Sequence, residues 1–115
     1  MTDGLELYGE LSSKTRLLDI AVKELRSRGT AFAKAERDYR VEKAKAILEE
    51  REKGTPATIT IDIVKGRRDI AKLCFERDCA EVLYKSALEA INSLKLQMRL
   101  LENQIAREYS QLNRV

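Results

Sequence analysis

The residues with most chemistry to offer lie around one glycine turn. In KGRRDIAK and the FERD that follows, Lys65, Arg67, Arg68, Lys72 and Arg77 crowd a short stretch of chain. Guanidinium and ammonium groups at such density suit a phosphate, which Arg can grip with two parallel N–H bonds. Arg67 and Arg68 also fall at the start of an expected helix, where free backbone N–H groups and the helix dipole favour anions. Phe75 and Tyr84 are the aromatic candidates for stacking on a base. The seven residues form a candidate site for an anionic nucleotide ligand. Arg77 has a second reading, because it falls in an otherwise apolar stripe. A guanidinium there needs a partner, and an ion pair that fixes helix register would supply one.

Other chemistries find little support. With no His in the chain, the usual general base, the Ser-His and Cys-His dyads and the commonest zinc ligand are missing. The acidic set Asp62, Asp69, Glu76, Asp78 and Glu81 has no P-loop, nucleophile elbow or glycine-rich phosphate loop beside it, and reads as solvated helix surface. Cys74 and Cys79 do not stack on one helical face and read as reduced, partly buried thiols. No catalytic residue, metal or cofactor is expected, and the chain is not expected to be an enzyme.

The elements that must position these residues are helical. In 115 residues there are one Pro, five Gly and 36% charged but only 5% aromatic residues, the composition of long helices around a thin core. The net charge is only +3, with signs alternating along the chain, so a basic stripe of the kind that coats DNA is not expected. No apolar run approaches the roughly 20 residues that span a bilayer. MTDGLELYGE lacks the basic-then-apolar layout of a signal peptide. A soluble, cytoplasmic protein with no membrane partner is expected.

Periodicity places the helices. Ile70, Leu73, Arg77, Ala80, Tyr84, Ala87, Ile91, Leu94, Met98, Leu101, Ile105, Glu108, Leu112 and Val115 keep one heptad register. Leu83 and Ala90 would widen this stripe, with Leu88 and Tyr109 flanking it. A helix over 68–113 would be roughly 65–70 Å long and must lie against another. Tyr8, Leu11, Thr15, Leu18, Val22 and Leu25 give a first helix over 5–28. Phe32, Ala35, Tyr39, Ala46 and Ile47 line a second over 30–53, with Thr30 as its N-cap and Gly29 as a break, or else as a bend in one helix. In GTPATITIDIVKG, Gly54 caps the preceding helix and Gly66 closes the next element. The alternating Ile59, Ile61 and Ile63 suit a strand, but no second strand exists for it to pair with. A short helix over 58–65 with Thr58 as N-cap is preferred. The fold class is all-α: one domain over 1–115, an antiparallel long-helix hairpin or coiled-coil bundle with a short element at the turn. So thin a core favours a homo-oligomer.

The stretch TPATITIDIVKGRRDIAKL is loosely similar to a helix-turn-helix, but its second helix continues as a coiled-coil strand instead of ending as a reading head. The pieces AERDYR, FERDCAEVLYKSALEAIN and LLENQI, within a similarity from about Leu5 to Tyr109, resemble a family of small helical proteins of tailed phages and prophages of Gram-positive bacteria. The resemblance implies a setting in the host cytoplasm and transfers no catalytic residue. Proteins of that setting often act by binding. The expectation is an anti-defence inhibitor, or an oligomeric sponge whose basic clusters converge on an anionic nucleotide signal. The alternatives are a nucleic-acid accessory protein of phage recombination or packaging, and a structural coiled-coil adaptor that binds a host protein.

Overall fold

The structure, a computed structural model, describes residues 4–113. Among them the chain forms three helices and no strand: α1 Gly4–Glu52, α2 Ala57–Lys65 and α3 Arg68–Asn113. The expected division at Gly29 is absent, and α1 runs through it for 49 residues. The reason is periodicity. Leu11, Leu18, Leu25, Phe32, Tyr39 and Ala46 recur at the heptad interval on both sides of Gly29, and none of them but Tyr39 and Ala46, which are buried, is more than partly covered. A break would lose that phase. Thr30, expected as an N-cap, therefore sits mid-helix.

The end of α1 is set by Gly54. Its φ of +89° is the left-handed conformation that glycine adopts freely. The N–H of Gly54 donates to the Arg51 carbonyl at 3.0 Å and that of Thr55 to the Glu50 carbonyl at 3.1 Å, the paired bonds of a Schellman motif. Pro56, not Thr58, is the N-cap of α2. Its carbonyl accepts from the Ile59 and Thr60 N–H groups, so helix begins one residue before Thr58. The strand alternative for 58–65 is not realised.

Two compact units divide the chain, one from residues up to Arg26 and from Ser86 onward, the other Ser27–Lys85. In the first, α1 and α3 segments meet along an aliphatic seam. Leu7 and Ile91 are buried there, and Leu11, Leu18, Val22, Leu25, Leu94, Met98, Leu101 and Ile105 are partly covered. In the second, Phe32 packs by Tyr84 and Tyr39 by Arg77, so α1 runs antiparallel to α3. There α2 closes the core: Ala46, Val64 and Ile70 cluster together with Ile47 packed against them. Thr60 is buried with its hydroxyl donating to the Pro56 carbonyl at 2.8 Å.

The α3 register matches the sequence reading from Ile70 to Glu108, every member being buried or partly covered. Leu112, at 74% exposed, lies outside the seam, and Val115 lies outside the described residues. Leu83 and Ala90 are exposed and do not widen the seam; of the two expected flanking residues, Leu88 is partly covered and Tyr109 is exposed. In α1 the phase differs slightly from that expected. Tyr8 and Thr15 face solvent, and Leu7 is buried in their stead.

Candidate binding surface

Of the five cations, two are held by the protein's own carboxylates. Arg67, between α2 and α3, donates to Glu49 at 3.0 Å and to Asp69 at 2.9 Å, and has Glu50 at 3.9 Å. It ties the end of α1 to the start of α3. The hydrogen bonds it donates to Asp69 and then to Glu49 push the Arg67 guanidinium up from its ordinary range, and those from Arg67 hold the Asp69 carboxyl down. Asp69 also accepts the Ile70 N–H at 2.9 Å. The anion expected at the start of α3 is thus supplied internally.

Arg77 takes the register-fixing position. Its guanidinium lies 4.6 Å from the centroid of the Tyr39 ring, a cation–π contact. It also donates to Asp78 at 2.9 and 3.1 Å and pairs with Glu36 of α1 at 3.5 Å. Asp78 is the main cause that raises its pKa. Tyr39 is buried at 5% exposure, and burial first, then the Cys74 thiol, raises its phenol above the usual range. Cys74 is half-buried beside Arg77, with its sulfur 3.7 Å from the guanidinium. Cys79 is exposed, which corrects the expectation that both thiols are covered.

The remaining cations, Lys65, Arg68 and Lys72, are exposed, and among the described residues no ion pair engages them. Arg68 and Lys72 stand one turn apart on α3. The two proposed stacking residues do not share a face. Tyr84 is half-buried in the seam, its ring centroid 6.0 Å from that of Phe32 and its edge 3.4 Å from where a Cβ on Gly29 would stand. Phe75 is 69% exposed. The interval between them, at about 100° per residue, amounts to a half-turn excess and puts them on opposite sides of the helix. That signal was in the sequence.

Phe75 belongs to a different arrangement. With Cys79, Val82 and Leu83 it lines an open apolar hollow on the outward face of α3, with Asp78 at its edge. Val82 is 62% exposed and Leu83 45%. Steps of four and three from Phe75 to Cys79 to Val82 make a second, short apolar stripe on the helix. The sequence reading passes over it because it gives Leu83 to the seam and Phe75 to a stacking role. Among the described residues no group of His, Cys, Asp or Glu is placed to hold a metal ion, and no helix is long and apolar enough to cross a membrane. No protein-family model, curated protein or solved structure matches the chain.

Proposed function

We propose that this chain is a non-enzymatic helical binding protein of the adaptor kind, working by docking a helix on the outward face of α3 in the Ser27–Lys85 unit. The observation that carries the reading is the exposed strip Phe75, Cys79, Val82 and Leu83 on a helix whose opposite face is already occupied. An apolar stripe at helical spacing is what a partner helix recognises. The internal engagement of Arg67 and Arg77 weighs against a five-cation phosphate site. The similarity to small helical proteins of tailed phages and prophages supplies the setting, one in which capture of another protein is a working mode.

A second reading keeps the phosphate chemistry at a smaller site. Lys65, Arg68 and Lys72 are exposed cations that no ion pair among the described residues engages, and a phosphate-bearing ligand, free nucleotide or nucleic-acid backbone, would meet them there. Affinity capture with paired variants separates the readings. Helix docking expects the captured species to be lost on Val82→Glu and kept on Arg68→Glu with Lys72→Glu. The reverse pattern, with a captured nucleotide or nucleic acid, would overturn it. Within that pattern, steep loss with salt marks a nucleic-acid backbone, and salt-tolerant binding of one nucleotide marks a sponge.

A further inference from the structure

We infer that the helix received by this face is α3 of a second copy, packed antiparallel. The inference rests on the docking reading above and names its partner. Phe75, Cys79 and Val82 follow the four-three spacing of core positions in a coiled coil. Asp78, immediately before Cys79, and Lys85, one heptad further on, then fall on the same rim of the strip. In an antiparallel pair this rim meets its own copy, Cys79 faces Val82 of the other chain, and the geometry sets Asp78 opposite Lys85 twice over, once in each direction. A two-fold interface of this kind needs only one self-complementary patch.

The charges choose the direction. In a parallel pair Asp78 would meet Leu83, and Lys72 would meet its own copy, a like-charge contact with nothing to offset it. Antiparallel packing gives two opposite-charge pairs and separates the Lys72 residues. Asp78 and Lys85 have partners within their own helix, Arg77 and Glu81, yet their side chains are 56% and 68% exposed. Both remain open to a neighbour. Four apolar side chains cover less than the about 800 Å² per partner of a standard interface. A patch this small suits a dimer that exchanges with monomer on dilution.

Sedimentation velocity on the full chain across the micromolar range tests this. The wild-type protein is expected to pass from monomer to dimer, and Val82→Glu to remain monomeric with unchanged helical circular dichroism. Asp78→Lys and Lys85→Asp should each weaken the dimer about tenfold, and the two together should restore it to within about threefold. Mild oxidation should link Val82→Cys into a covalent dimer through Cys79 and leave the wild type largely unlinked. A wild-type chain that stays monomeric throughout overturns self-docking. Docking of a different helix would still be read from the Val82→Glu capture pattern. A double swap that fails to restore, or a wild type that links readily through Cys79, overturns the antiparallel arrangement.

Discussion

The two units use one heptad frame for different ends. Where Leu18 and Met98 line one surface of the first unit, the seam is aliphatic, and an aliphatic seam is nearly as content one heptad out of step as in register. In the Ser27–Lys85 unit the same frame carries Tyr39, Arg77 and Glu36, then Arg67 against Glu49 and Glu50. Those groups find partners only in one alignment of α1 against α3, and a slip would strand a half-buried guanidinium. Burial thus supplies adhesion in both units, whereas partly covered charge supplies register in one of them.

The largest effect is expected from the core under α2. Ile70→Ala should cost about 3 kcal/mol in denaturant unfolding, since Ile70 is 2% exposed and packed with Ala46 and Val64. A loss below about 1 kcal/mol would mean that α2 does not close that core. Next comes Arg77→Met, which keeps the stem and removes the charge. It should cost about 1 kcal/mol and add slow exchange broadening to the NMR signals around Tyr39. A substitution that leaves both unchanged would deny Arg77 its register role.

Gly29 offers a change in the opposite direction. A Cβ there would stand 3.4 Å from the Tyr84 ring, an ordinary contact, and the position is helical. Gly29→Ala should therefore raise stability by up to about 1 kcal/mol. Destabilisation would point to a break at that residue after all.

The smallest expected effect is in acid. The Asp69 carboxyl is held below its usual range, chiefly by hydrogen bonds from Arg67. Its contribution is present above the unfolded value near about 4 and is lost as pH falls through the lower folded value. Thermal melts of the wild type and Asp69→Asn should converge as pH drops below that point. Melts that stay parallel would show that the Arg67 pairing adds nothing to the tip.

Much of this was legible in the chain. The α3 seam from Ile70 to Glu108, the cap at Gly54 and the helical state of 59–65 all followed from spacing and from the special φ that glycine tolerates. The break at Gly29 did not survive, because glycine's local preference against helix is worth about 1 kcal/mol and a continuous heptad face outweighs it. Spacing alone leaves two neighbouring phases open, one of which turns Tyr8 and Thr15 inward. Leu11, Leu18 and Leu25 belong to both phases, so their repeat does not choose between them. For the surface, the density of cations in KGRRDIAK was plain, but their pairing was not. Glu49 and Glu50 reach Arg67 across a turn of the fold, and Glu36 reaches Arg77 from another helix. Such long-range partners leave no mark in local spacing.

On the reading proposed above, the outward face of α3 is a helix-docking surface, first of all for a second copy. Native mass spectrometry of the gently purified protein and of Val82→Glu, over a range of concentrations, tests it most directly. The account predicts a dimer of the wild type with no added ligand mass, giving way to monomer on dilution, and monomer alone for Val82→Glu. A wild-type monomer at every concentration, or an oligomer that carries a nucleotide-like mass and survives Val82→Glu, would contradict it.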